Sequence, residues 1–307
     1  MSTLKLYDRI HYNELSAQDC PLETDFYKVW QNKNLAALTP IEQALEGGAL
    51  ASSLPWVFTA GYQATLQSAF SALPACASSG SARGDSARAD CAWPDSGWAA
   101  FAATEDTQHP EIHPGTTLTE SSGGASLNGC KSWVAHSKVL DTLIITINDA
   151  GGDKYKARGV IVDSRADGLS LSHRDNPTFL NKLSQGFAKF DNTPVKISEV
   201  FEFGPIRQFG RTEAKFVMLA SVAFMLMRVD RDSEPAQRLL NVGTAFEALL
   251  AETATSRRAF AAVDLEYQRC VALFEQHTDT SAIADYENDK RLFRMYSDRI
   301  QRRANRS

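Results

Sequence analysis

Apolar residues repeat at two different periods along this chain, and each period keeps to its own stretch. From Gly97 to about Gly204 the sequence breaks into short β-branched or aromatic runs with turn residues between them: Trp98-Ala-Ala-Phe-Ala-Ala, Leu143-Ile-Ile-Thr-Ile and Gly159-Val-Ile-Val are examples. Before and after that block, apolar residues recur at helical spacing. Strands and helices therefore segregate. That pattern argues for an α+β fold and against alternating βα units.

The helical blocks carry their own punctuation. In the first, residues 25–34 make one short helix, and Thr39-Pro40-Ile41-Glu42 opens the next. A hydroxyl cap, proline at the first helical position and an early acid suit the positive end of the dipole. Pro55 marks a new start near Leu54, with helix to about Leu73. After Gly210, helices are expected over 212–229, 234–253, 255–276 and 281–303. The apolar faces of Phe216, Leu219, Val222, Phe224 and Leu226, with Leu249, Phe260 and Phe274, predict a bundle. Residues 74–97 are small and polar, as in a linker. The expected layout is an N-terminal helical domain (1–73), a flexible linker (74–97), a central antiparallel β-barrel or sandwich (98–204) and a C-terminal helical bundle (210–307). Within the β block, Asn128-Gly129 reads as a hairpin turn, because both residues tolerate positive φ.

Composition narrows the partners. With 307 residues the chain has room for a substantial core, and its net charge of −5 gives no reason to expect nucleic acid or an anionic membrane. No apolar run is long enough for a membrane span; the longest, 216–227, is interrupted by Ser221. The N-terminus lacks the apolar core of a signal peptide. Five cysteines (Cys20, Cys76, Cys91, Cys130 and Cys270) are scattered without a CxxC pair. They read as free thiols in a reducing cytoplasm, although Cys76 and Cys91 flank the polar stretch at a distance that allows pairing.

The central block also carries a resemblance. Phe101-Ala-Ala-Thr-Glu-Asp, then Leu127-Asn-Gly-Cys-Lys-Ser-Trp-Val-Ala-His, then Asp141-Thr-Leu-Ile-Ile-Thr resembles the middle domain of the acyl-CoA dehydrogenase family. There a Thr-Glu-Pro strand end precedes a Leu-Asn-Gly-x-Lys-x-Trp element. Gly159-Val-Ile-Val-Asp and Lys189-Phe-Asp-Asn-Thr-Pro-Val look like the family's later strands. Ala49-Leu through Trp56-Val-Phe-Thr-Ala-Gly-Tyr-Gln-Ala resembles the last helices of its N-terminal domain. The resemblance spans residues 40–230.

What it implies is a short, divergent flavoprotein that binds FAD and an acyl-CoA thioester. A flavin needs an aromatic wall and polar groups near its ring. By motif these are Trp133 as the wall and Thr104 as a hydrogen-bonding group, with Val134 and Ala135 completing the cofactor-binding run. The other reading of Trp133 is a core aromatic, and of Thr104 an ordinary strand-end hydroxyl. Departures are visible: Ala135 stands where the family has Thr or Ser, and Thr107-Gln-His-Pro-Glu-Ile-His-Pro replaces its Ala-Gly-Ser-Asp. His109 and His113 stand at i and i+4, but Pro110 and Pro114 exclude a regular helix between them, so no metal site is expected. Arg207-Gln-Phe-Gly resembles the family's FAD-gripping Arg-x-x-Phe-Gly, yet falls before the first C-terminal helix as read here and not after it.

Dehydrogenation next to a thioester needs a carboxylate base. The family's usual glutamate, in a Tyr-Glu-Gly-Thr loop, has no counterpart after Glu287-Asn-Asp-Lys-Arg-Leu-Phe-Arg-Met-Tyr. A minority of the family places the base on the first C-terminal helix, which points to Glu213. A first-turn acid answering the helix dipole is the plainer explanation. Asp285-Tyr-Glu287 is a weaker candidate. Arg299, Arg302, Arg303 and Arg306 read as a solvated cationic helix end, with a CoA-phosphate contact as the alternative. Two functions follow: an FAD-dependent acyl-CoA dehydrogenase of fatty acid metabolism, or a non-catalytic, half-site subunit paired with a full-length family member. In either case the chain is expected in a cytoplasmic homo- or hetero-oligomer. A scaffold without flavin is the third class.

Overall fold

The computed structural model describes residues 7–10, 15–73, 97–121, 124–147, 158–252 and 256–306. The expected linker therefore lies outside the described residues except for Gly97, as do Cys76 and Cys91. Cys20, Cys130 and Cys270 are unbridged. No helix among the described residues is long and apolar enough to cross a membrane. The chain divides into two compact units, Met1–Thr65 with Thr178–Lys182 and Arg211–Ser307, and Leu66–Pro177 with Leu183–Gly210.

The first unit is helical. It draws on α1 (Glu23–Asn32), α2 (Pro40–Leu50), α3 (Leu54–Phe70), α4 (Phe203–Leu226), α5 (Glu234–Ala251), α6 (Arg257–His277), α7 (Tyr286–Asp289) and α8 (Ser297–Ala304). Thr39 caps α2 as its sequence implies. Its hydroxyl accepts from Glu42 N–H at 3.4 Å, while the Glu42 carboxylate accepts from Thr39 N–H at 3.1 Å. Such a box contributes about 1 kcal/mol. Two glycines let helix backbones meet. A Cβ on Gly48 would lie 2.2 Å from the Ala220 carbonyl oxygen, and one on Gly61 would lie 2.4 Å from Val217 Cα. Phe26 stacks on Trp56 at 5.4 Å, and the Trp56 indole donates to the Cys20 carbonyl at 2.8 Å.

Two helices differ from their sequence readings. α4 begins at Phe203, well before residue 212. Pro205 suits a first helical turn, and a Cβ on Gly210 would meet nothing within 4 Å, so neither residue breaks the helix. Arg207-Gln-Phe-Gly accordingly lies inside α4 and not before it. The helix expected over 281–303 is broken into α7, a 3-10 turn at Lys290–Phe293, and α8. Asp285 is left-handed at φ 57°, and α8 is held to α6 by bonds of 2.6 Å from Ser297 Oγ and from Gln301 Nε2 to the Asp264 carboxylate.

The second unit holds two four-stranded sheets. One is ordered β1-β4-β5-β8 and the other β2-β3-β7-β6. Their strands are β1 (Ala99–Ala102), β2 (Thr117–Ser121), β3 (Gly124–Ala135), β4 (Thr142–Ile147), β5 (Arg158–Asp163), β6 (Leu169–His173), β7 (Gln185–Val195) and β8 (Val200–Phe201). Among the described residues all pairings are antiparallel except β1 with β4. Among the described residues the sheets do not close, so the expected barrel-or-sandwich is an open sandwich. Its core is made by Leu143, Ile145 and Val160 from one sheet and Leu127, Val134 and Phe190 from the other.

Asn128-Gly129 is not a turn. It lies inside β3, where the ladder passes from Leu127↔Thr193 to Gly129↔Phe190, so Asp191 and Asn192 together oppose Asn128. That is a β-bulge on β7. Asn192 takes φ 50°, and its N–H donates to Asn128 Oδ1 at 2.9 Å. Gly129 has φ 120°, and a Cβ there would lie 2.4 Å from the Gly115 carbonyl oxygen. The same local freedom that suits a hairpin serves the bulge. β2 pairs antiparallel with β3 from Thr117↔Asn128 to Ser121↔Gly124.

Candidate functional site

A second bulge in β3 places the tryptophan. The ladder steps from Lys131↔Ala188 to Val134↔Gly186, so Ser132 and Trp133 share the single opposing residue Phe187. An extra residue bends its strand and re-aims the side chain it carries. Val134 and Ala188 stay in the core, whereas Trp133, Gln185 and Phe187 are all half-buried. The Trp133 indole N–H donates to Gln185 Oε1 at 3.3 Å. Gln185 and Phe187 alternate with the core residue Ala188, so this indole belongs to the outer face of the sheet. The Phe187 ring is met by the Arg174 guanidinium, 4.6 Å from its centroid, and by the His113 ring at 6.4 Å.

The other sequence candidates fall around this bulge unequally. Thr104 has its residue exposed, and its carbonyl accepts from Ser132 N–H at 2.8 Å and Ser132 Oγ at 3.2 Å. The loop after β1 is thereby tied to the residue next to Trp133. Val134 turns inward, and Ala135 is buried opposite Gln185. One further residue in each motif, Glu105 after Thr104 and Lys131 two before Trp133, is structural. Lys131, fully buried, places Nζ 2.6 Å from Glu105 Oε1 and 3.2 Å from Thr146 Oγ1. Burial lowers the ammonium pKa, and Glu105 works against that shift.

Glu213, in the first unit, stands about three turns into α4 and not in its first turn, so the dipole explanation does not apply to it. It is half-buried, and burial pushes its carboxyl above the ordinary carboxylate range. The Tyr296 hydroxyl and the charge of Arg299 oppose that shift. The Tyr296 hydroxyl is itself buried beside the carboxyl, without full hydrogen-bond geometry. Burial, Glu213 and Tyr62 raise the phenol well above its usual value. Tyr296 and Arg299 escape a sequence reading that takes the C-terminal arginines as a solvated helix end. Gly204-Pro205, read as a helix entrance, was the signal that would have placed Glu213 in mid-helix.

No protein-family model matches the chain, and no curated protein matches it in sequence. Solved structures do match. PigA with FAD and proline has a TM-score of 0.65 at 14% identity, covering 100% of this chain and 97% of its own. The acyl-CoA dehydrogenase from Geobacillus kaustophilus gives 0.61 at 12%, covering 99% and 97%. The prolyl acyl carrier protein oxidase AnaB gives 0.58 at 14%, covering 97% and 97%. At these identities the correspondence is one of backbone, and it runs through the helical segments as well as the sheets. The chain has the acyl-CoA dehydrogenase fold.

Proposed function

We propose that this chain binds FAD along the outer face of the β2-β3-β7-β6 sheet and catalyses α,β-dehydrogenation of an acyl-CoA thioester. The observation that carries the reading is the bulge that turns Trp133 out of the core. A half-buried indole beside a half-buried Phe187 suits a flat aromatic ligand better than it suits water. PigA, which shares the fold, was solved with FAD. A bound flavin supplies a hydride acceptor. The chain's own part is to hold it. Trp133 forms a wall, Gln185 orients the indole, and the Thr104 loop closes on the bulge through Ser132. Ala135 provides no hydroxyl, so one polar contact expected of the family is missing. Glu213 is the proposed base. Its role is to take the substrate's α-proton, and a carboxyl with a raised pKa is a stronger acceptor once ionised.

The missing hydroxyl at Ala135 also favours a second reading, a half-site subunit that gains flavin only with a full-length partner of the family. Purified alone, an enzyme of the first kind carries a flavin absorption band that an acyl-CoA bleaches without oxygen. A colourless chain that turns yellow on co-expression with a partner supports the second. Trp133→Ala should lose flavin, and a folded variant with full flavin content would remove the assignment. Because AnaB acts on a carrier protein, the same anaerobic assay includes an acyl carrier protein thioester. Bleaching by that substrate alone would replace the carrier and keep the reaction. We place the protein in the cytoplasm as an oligomer.

A further inference from the structure

Arg174 follows the last residue of β6, and its backbone keeps the ladder going, with N–H donating to the Gln185 carbonyl at 2.7 Å. Its side chain turns back along the outer face. Nη2 donates to the Ser132 carbonyl at 2.7 Å, and the guanidinium centre stands 4.6 Å from the Phe187 centroid. Ser132 and Phe187 are the two sides of the bulge that carries Trp133. One side chain therefore spans the irregularity.

We infer that Arg174 is a positioning residue, which bridges the bulge from Ser132 to Phe187 and so sets the angle at which Trp133 presents its indole. The inference rests on the flavin reading above. An exposed arginine ordinarily samples many rotamers. Here a charge-assisted bond and a cation–π contact act at once, and together they select one geometry. A bulge disrupts the local ladder, so a bond from outside to a bulge carbonyl restores stiffness where the indole is anchored. Gln185 adds to the arrangement, because its side chain holds the Trp133 N–H while its carbonyl holds Arg174 N–H. Lysine cannot replace this residue: it is a point charge without the planar fork that makes both contacts.

The test uses the full chain, as wild type, Arg174→Ala, Arg174→Lys, Trp133→Phe and the Arg174→Ala/Trp133→Phe double variant. FAD dissociation constants are measured on flavin-stripped protein. Arg174→Ala is expected to weaken binding about tenfold, with little rescue by Arg174→Lys. In the Trp133→Phe background the same change should cost less than about twofold, because its effect runs through the indole. Full additivity would overturn the inference, since Arg174 would then touch the ligand itself or act on the whole fold. A second readout needs no flavin. Acrylamide quenching of the Trp133 emission, taken as the difference from Trp133→Phe protein, should rise in Arg174→Ala and Arg174→Lys. Unchanged quenching overturns the inference, and Arg174→Lys keeps this arm open should the alanine variant not fold. A wild type that binds no FAD while quenching still rises would sink the flavin reading and leave the Arg174–Trp133 coupling standing.

Discussion

Lys131 Nζ lies 2.6 Å from Glu105 Oε1, with the lysine side chain wholly shielded from water. Each partner sits beside a residue of the proposed flavin site: Glu105 follows Thr104, and Lys131 comes two before Trp133. The pair fastens the loop after β1 to β3, and Glu105 Oε1 also accepts from Thr116 N–H at 3.0 Å. The site's outer face therefore rests on a buried charge pair.

Breaking that pair from one side leaves a buried charge. Glu105→Gln should destabilise by about 3 kcal/mol, the low end of the usual range because Glu105 keeps some solvent contact. Adding Lys131→Met removes the stranded charge, so the double variant should recover most of the loss. Urea denaturation of the single and double variants checks this, and a double variant showing the sum of both losses contradicts it.

The bulge at Gly129 predicts opposite signs for two glycines. Gly129→Ala meets positive φ and the Gly115 carbonyl, so it should cost at least about 2 kcal/mol. Gly210→Ala, in α4 with open space at its Cβ, should stabilise by about 0.5–1 kcal/mol. Thermal midpoints of the two variants should move in opposite directions.

Asp289 predicts a pH dependence of stability. Its Oδ1 accepts from Leu180 N–H at 2.6 Å, and Oδ2 has no hydrogen-bond partner among the described residues. Burial, helped by Asp285, raises its carboxyl above the ordinary value of 3.8, while the Leu180 N–H, Arg291 and Lys182 work the other way. A raised carboxyl favours the protonated folded state. Its contribution is therefore complete below the unfolded value and is lost as pH rises through the folded one. Asp289→Asn keeps the Oδ1 acceptor, and a neutral amide costs less to bury than an unpaired charge. The variant should have the higher melting temperature at pH 8, with the difference shrinking towards pH 4. A constant difference across that range would show that the charge is not responsible.

For the proposed chemistry, Glu213→Gln should lower turnover at least about a hundredfold with flavin retained. The base acts ionised and its pKa is raised, so the acidic limb of the rate profile should lie above the ordinary glutamate range. Arg299 holds that pKa down. Arg299→Gln should move the limb to higher pH, and a limb that stays in place would show that Glu213 does not control it.

The residues by themselves determined which kind of element forms where, because that information is local. Thr39-Pro40-Ile41-Glu42 satisfies the orphan N–H groups of its own helix, and the runs at Leu143 and Gly159 are too β-branched and too short for anything but strands. The α+β order and the motif from Leu127 to His136 were legible for that reason. Asn128-Gly129 was not, since positive φ is permitted equally in a hairpin and a bulge, and only the register with β7 selects between them. Nor was the start of α4, where Gly204, Pro205 and Gly210 look like breakers until the chain is seen to run through them. What Glu213 is, a first-turn acid or a shielded carboxyl beside Tyr296, depended on that start. The outward aim of Trp133 and the span of Arg174 from Ser132 to Phe187 were decided by strand pairing alone. Propensity and capping act within a few residues, whereas register, burial and charge environment come from segments far apart in the chain.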